Sequence, residues 1–479
     1  MCYKFSINIV FYTKTSHMKK LITITAFVGL FFCSAPAFAQ IDTVANLSNA
    51  DKLYGLSKFW EETSYNFAYF DHAHINWDST YRAYIPKILS TKNTWQYYEV
   101  MERFCALLKD GHTDIGFPVQ LLTHKSRYKW IYIENFDKHF FVTDMPVQYK
   151  DKVPLGSELI SVDGVPAKEY AQKEIIPYIS SSTEHVLWNN AAAMMFYGTD
   201  SAQVWHLKLR TPKGKLIDYD YQFHTIGTKW ERRATNQPWS VLDFKKIGDI
   251  AYVKLNTFGD TAIIGKFKAI LSQLYTCKGV ILDIRDNGGG DTGIGAEILK
   301  YFTDKRLIGS TWRTRDNLSS FRAWGTYQLR DTTKYEHLSN WQKKTYLSAK
   351  GDYWYKGDTM TFDNDVKVRK ITCPLIVLTG NNTASAAEDF LIMLDGLKPR
   401  ATTMGQRTYG STGQPMPLEL PGLTESRICT KRDTYPDGRD FVGVGVIPDI
   451  EIPPNVNDVI NGTDNVLDAA VKEINKQIK

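Results

Sequence analysis

Leu375-Ile376-Val377-Leu378-Thr379-Gly380-Asn381-Asn382-Thr383-Ala384-Ser385-Ala386-Ala387-Glu388-Asp389-Phe390 reads as an apolar strand, a tight polar turn and a serine where a helix begins. The β-branched and leucine run between Pro374 and Gly380 predicts a strand over 375–379. Ala387, Phe390, Leu391 and Leu394 recur at i, i+3, i+4 and i+7, and Gly396 stops the pattern, so a helix follows directly. A serine at that junction sits beside unpaired backbone N–H groups and the positive end of a helix dipole, which suits a nucleophile and equally suits an N-cap. Glu388, three residues on, reads first as a structural carboxylate of the first helical turn.

About 100 residues upstream, Gly279-Val280-Ile281-Leu282-Asp283-Ile284-Arg285-Asp286-Asn287-Gly288-Gly289-Gly290 is a second apolar run that ends in a charged turn and three glycines. Backbone without side chains lets N–H groups approach a ligand closely, and such a loop at a strand's carboxyl end can donate to a developing oxyanion. The spacing fits neither a dinucleotide fingerprint nor a phosphate-binding loop, because no Gly-Lys-Ser/Thr follows.

Four ordered segments, Asp283-Ile284-Arg285-Asp286-Asn287-Gly288-Gly289, Thr383-Ala384-Ser385-Ala386-Ala387-Glu388, Gly405-Gln406-Arg407-Thr408-Tyr409-Gly410 and Gly445-Val446-Ile447-Pro448-Asp449, span some 170 residues. Together they resemble the C-terminal-processing (tail-specific) serine protease family, which shares its core with the tricorn protease and with interphotoreceptor retinoid-binding protein. The resemblance implies Ser385 as nucleophile and the backbone N–H groups of Gly288 and Ala386 as oxyanion hole. Members with a Ser/Lys dyad carry a lysine shortly after the Thr-Phe/Tyr-Gly triplet, whereas this chain reads Thr408-Tyr409-Gly410-Ser411-Thr412-Gly413. Something else must then take the serine's proton. In the tricorn-like branch a histidine far upstream faces the nucleophile, and His112, in Leu107-Leu108-Lys109-Asp110-Gly111-His112-Thr113-Asp114, matches that context. That branch also sets a serine beside the histidine together with a late glutamate, but here Gly111 precedes His112. Asp440, near the place of the late acid, and the Thr113 hydroxyl are the candidates for a third member, and either reads equally as a residue of a surface hairpin.

Met18-Lys19-Lys20, an apolar run from Leu21 to Phe32 and Ala37-Phe38-Ala39 have the form of an export signal that starts near Met18, with residues 1–17 an upstream extension, so that 1–39 predict a periplasmic or secreted protein cleaved after Ala39. Cys33 lacks the small preceding residue of a lipidated cysteine, and no later segment is apolar enough for a stable membrane span. Lys4, Lys14, Lys19 and Lys20 lie in that segment with no acids, so the formal charge of +6 falls to +2 beyond it. No basic cluster with interleaved aromatics stands out in the remainder, and nucleic acid is not an expected partner. Cys105, Cys277, Cys373 and Cys429 have no CxxC spacing, and His72-x-His74 has no third ligand nearby, so neither a metal nor an organic cofactor is expected.

The remaining length calls for two or three domains. Apolar stripes at Leu53/Leu56/Phe59/Trp60, Tyr81/Tyr84/Ile85/Ile88 and Tyr98/Met101/Phe104/Cys105 predict an N-terminal helical region over 45–120 that delivers His112. Over 125–230 the period changes to short strands (Trp130–Ile133, His139–Val142, Ser157–Gly164, Trp205–Leu209) with a helix near Lys168 to Ile176, which resembles a divergent PDZ module able to hold an extended peptide by strand addition. From 240 to 479 strands and helices alternate, giving an α/β fold that the resemblance makes a crotonase-like spiral core of ββα units. An aromatic insertion over 306–370 suggests a lid or substrate-lining arm. The expectation is an exported serine peptidase cleaving polypeptides by acyl transfer. The rival is a non-catalytic peptide- or lipid-binding protein on the same scaffold, since fold alone does not guarantee chemistry. An acyl-CoA enzyme fits the fold but not the export signal.

Overall fold

The structure is a computed structural model that describes residues 46–118, 131–196, 203–222, 239–330, 334–422 and 424–478. The export segment expected over 1–39 and the strand start at Trp130 lie outside these residues.

A six-stranded sheet organises the C-terminal half, in the order 450–451, 401–405, 375–379, 279–283, 250–255, 242–247. Its members run parallel except the last, which forms a hairpin with Ile250–Leu255. Gly279–Asp283 and Leu375–Thr379 are buried at every position, as continuous apolar runs are when a parallel sheet is covered on both faces. Alternation sorts their side chains. Val280, Leu282, Leu375 and Val377 join Ile263, Phe267, Ile294 and Phe390 from helices Ala262–Leu274, Thr292–Leu299 and Ala386–Leu394. Ile281, Ile376 and Leu378 meet Val466, Ala470 and Ile474 of the C-terminal helix Asn465–Gln477 on the other face. The strand and helix expected around Ser385 are present as Leu375–Thr379 and Ala386–Leu394. Strands Leu242–Ile247 and Ala401–Gly405 were not anticipated from the sequence pattern.

The amino-terminal helices run over Asn49–Asn66, Trp77–Leu89 and Thr94–Ala106, each capped by an Asn or Ser side chain that accepts a backbone N–H. Their Leu56, Phe59, Ile88, Met101 and Phe104 are sealed into the same core as the sheet, so the segment leaving the third helix is anchored against the α/β half.

A second, antiparallel sheet contains Tyr132–Phe136, His139–Asp144, Glu158–Val162, Val204–Arg210 and Leu216–Gln222 in that order. It has its own core, built on Phe140, Val142, Leu159, Trp188, Trp205 and Tyr221. Helix Glu184–Met194 was not read from the sequence, because Ala191-Ala192-Ala193-Met194 carries no polar stripe to set a period. It packs by the edge strand Tyr132–Phe136, where Asn135 Nδ2 donates to Asn189 Oδ1 at 2.9 Å. The aromatic insertion contains a strand, Thr311–Arg315, that pairs with Lys431–Thr434, and a helical hairpin, Ser319–Gln328 with Asn340–Lys350.

Candidate active site

Ser385 leaves the strand Leu375–Thr379 through a turn held by Thr383, whose Oγ1 accepts from Gly380 N (3.0 Å) and donates to the Ile284 carbonyl (2.8 Å). Its backbone sits at φ 55°, ψ −124°, a sparsely populated conformation that a non-glycine residue keeps only under outside constraint. The constraint is Glu388. Fully buried, its carboxylate accepts from Ser385 N (3.2 Å), Thr408 Oγ1 (2.5 Å), Gly410 N (2.8 Å), Ser411 N (3.1 Å) and Thr412 Oγ1 (2.9 Å). Burial pushes the Glu388 carboxyl up to about 7, with the converging donors pulling the other way. It therefore joins the turn that carries Ser385 to the loop 408–412.

His112 arrives from the opposite end of the chain. Its Nε2 lies 3.2 Å from Ser385 Oγ and its Nδ1 2.6 Å from Ser411 Oγ. The loop before it is tied at several points. Thr113 Oγ1 donates to Asp110 Oδ2 (2.6 Å) and accepts from Cys429 N (2.9 Å), while Gly111 N donates to Ser182 Oγ (2.9 Å), whose hydroxyl donates to Asp110 Oδ1 (3.2 Å). Burial, with Arg427 and Lys431 adding positive potential, holds the His112 imidazole down at about 4. The ring is therefore neutral near pH 7, with one nitrogen available to accept a proton.

The glycine loop lies against the serine. Ala384 N donates to the Asn287 carbonyl (3.1 Å), and Asn287 Oδ1 accepts from Gly289 N (3.0 Å). At φ +96°, Gly289 approaches so closely that an added Cβ would stand 2.7 Å from Ser385 Cβ and 2.9 Å from Ala386 N. Gly288 N and Ala386 N donate to no described residue, which leaves both amides able to receive an oxygen at the serine. Arg285, from the same motif, is turned away: its fork is bonded to Asp283 and Asp464.

Asp440, expected behind the imidazole, is not there. Its half-exposed carboxylate faces Arg432 Nη2 at 3.5 Å, and the ring nitrogen it was to hold is occupied by Ser411. The Thr113 hydroxyl is likewise committed to Asp110. One signal in the sequence points to Ser411: the lysine-less triplet is followed at once by a hydroxyl. In the fold, a Cβ built on Gly111 would lie 3.1 Å from Ser411 Oγ, so the space that a serine before His112 would use is filled from another loop. His72 Nε2, from the His72-x-His74 pair, faces Arg432 Nη2 at 3.3 Å.

Residues 249–452 match the model of peptidase family S41. The carboxyl-terminal-processing protease of Picosynechococcus sp. is 23% identical over 395 residues, covering 81% of this chain and 80% of that protein. Carboxyl-terminal-processing peptidase 2, chloroplastic, of Arabidopsis thaliana is 26% identical over 314 residues, covering 63% of this chain and 51% of that one. The fold is similar to the crystal structure of mature CPAF, with a TM-score of 0.67 at 16% identity over 90% of this chain and 98% of the other. The molecule is thus a serine-type peptidase by class. Over residues 249–452 it resembles peptidase family S41, and over most of its length it is similar to a carboxyl-terminal-processing protease.

Proposed function

We propose that this is an exported peptidase that cleaves polypeptides by acyl transfer through Ser385 and His112. The observation that carries the reading is the chain of contacts Ser385 Oγ, His112 Nε2, His112 Nδ1, Ser411 Oγ, at 3.2 and 2.6 Å. Ser385 Oγ attacks the scissile carbonyl while His112 Nε2 takes its proton, and the Gly288 and Ala386 amides receive the oxyanion. His112 then delivers the proton to the leaving amine, and water hydrolyses the acyl-enzyme by the same steps in reverse roles. Ser411 accepts from Nδ1–H and so selects the tautomer that leaves Nε2 basic, the task the sequence assigned to Asp440. Glu388 acts one contact further out, through the Ser411 amide. In domain terms, 45–120 is the helical region, 125–230 a PDZ-like module and 240–479 a crotonase-like peptidase core. Export rests on the pattern of residues 18–39.

A fluorophosphonate probe tests the reading. Stoichiometric labelling of the protein, abolished by Ser385→Ala and slowed by roughly a hundredfold or more by His112→Ala, is expected. A folded wild-type protein that takes no label would return the scaffold to ligand carriage.

A further inference from the structure

The helical hairpin of the insertion is unlike the rest of the surface. Ser319–Gln328 and Asn340–Lys350 meet closely at Gly325, and Thr345 Oγ1 donates to Gln328 Oε1 at 2.7 Å. Outside that contact, Trp324, Tyr327 and Trp341 are 47%, 72% and 48% exposed, with Leu318 and Leu329 also open to solvent. The rings form one patch: Trp324 and Trp341 lie 5.4 Å apart and Phe321 and Trp324 5.9 Å apart. Contiguous exposed apolar surface of this kind marks an interaction site in a soluble protein.

Charge identifies the partner. Residues 318–351 contain Arg322, Arg330, Lys334, Lys343, Lys344 and Lys350 against Asp331 and Glu336, a net of +4, whereas residues 40–479 together carry +2. Within residues 40–479, the part outside the hairpin is therefore net −2. Among the described residues none of the six cations has an ion-pair partner; Arg322, Lys343 and Lys350 lie over the rings of Tyr65, Tyr335 and Tyr346. The sequence showed no basic cluster because these cations are spread over some 30 positions and are gathered only when the hairpin folds. Two such arms repel each other, which argues against a second copy of the chain. Stacking of nucleic-acid bases needs open ring faces, while Trp324 packs on both Phe321 and Trp341, and the exposed Leu318 and Leu329 have no part in stacking. Tryptophan, tyrosine and leucine with lysine and arginine at one surface is the composition of a helix at a lipid interface.

We infer that the hairpin 319–350 docks the protein peripherally on an anionic lipid bilayer. No described helix is long and apolar enough to cross a membrane, and the contact needs none. Vesicles of phosphatidylcholine, with or without phosphatidylglycerol, test it by co-sedimentation with the full chain. Binding only to the phosphatidylglycerol vesicles, released by high salt, is expected. Lys343→Glu with Lys344→Glu, and separately Trp324→Ala with Trp341→Ala, should each weaken it at least about tenfold with the melting midpoint unchanged. Equal binding to both vesicle types, or binding unaltered in the folded charge-reversed variant, overturns the inference. So does complete displacement of the vesicles by polyglutamate or single-stranded DNA at equal charge concentration, which would assign the surface to an acidic polymer.

Discussion

Ser411 and Asp440 are each a single polar residue within 30 positions of one another, and geometry separates their roles. Ser411→Ala removes the acceptor at His112 Nδ1, so kcat is expected to fall by about 10- to 100-fold with KM little changed, whereas Asp440→Asn should leave both within about twofold. A steady-state comparison of the two variants on a peptide substrate decides this, and the opposite ranking would restore the carboxylate. The imidazole's low proton affinity gives a second test. In the free enzyme the acidic limb of labelling against pH should fall near 4 if His112 is its sole cause. Because Arg427 and Lys431 disfavour the imidazolium, replacing both by glutamine should move that limb upward. The same group bears on stability. Held at about 4 against an ordinary 6.5, it makes the unfolded chain the stronger proton binder between those values, so its contribution is complete above about 6.5 and is lost as pH falls toward 4. Glu388, raised to about 7, opposes it: ionising this carboxyl costs the folded state stability as pH rises through that value.

At the scale of elements, the site is a meeting of loops, and one short segment at the start of helix Glu184–Met194 holds two of them. Ser182 bonds Asp110 and Gly111 before His112, Thr183 Oγ1 donates to the Tyr409 carbonyl (2.9 Å), and His185 Nε2 faces the Thr408 carbonyl at 2.8 Å. Since an imidazole can reach that carbonyl only as a donor, His185 carries its proton on Nε2. His185→Leu should slow labelling roughly tenfold at an unchanged substrate KM, and His185→Gln, which keeps a donor of similar reach, should recover most of the rate. Failure of glutamine to rescue would mean that bulk rather than the hydrogen bond matters. The glycine loop allows less latitude. Gly289→Ala sets a methyl on Ser385 and Ala386 at a backbone angle that side chains rarely adopt, and should abolish labelling even where circular dichroism shows a folded protein.

For the whole molecule, Arg285 is the join between the sheet and the C-terminal helix. Its guanidinium is bidentate to Asp464 at 2.8 and 2.7 Å and also bonds the fully buried Asp283, which accepts the Tyr252 hydroxyl as well. Arg285→Met leaves a buried carboxylate without its cation, and a loss of about 3–5 kcal/mol is expected from the denaturation midpoint. Labelling measured well below that midpoint should change little, because the residue does not touch Ser385. Although Arg285 belongs to the motif that suggested the protein's chemistry, its work is in the architecture.

What the chain determined unaided was local or periodic: the strand, turn and helix around Ser385, the glycine loop after the neighbouring strand of the sheet, the amphipathic helices before His112, and the context that singled out that histidine. Each is written in consecutive residues or in a stripe of 3.6 or 2, which backbone geometry reads without distant contacts. The partner of His112 Nδ1 was left to the tertiary fold, because 299 positions separate the two residues and the choice among Ser411, Thr113 and Asp440 depends on which hydroxyl or carboxylate three converging loops bring within hydrogen-bond reach. The same applies to Glu388, four of whose five donors come from the loop 408–412, which no local pattern links to the start of its helix, and to the helix 184–194. Hydrogen bonds act over about 3 Å, so their partners are chosen only once packing has set the distances.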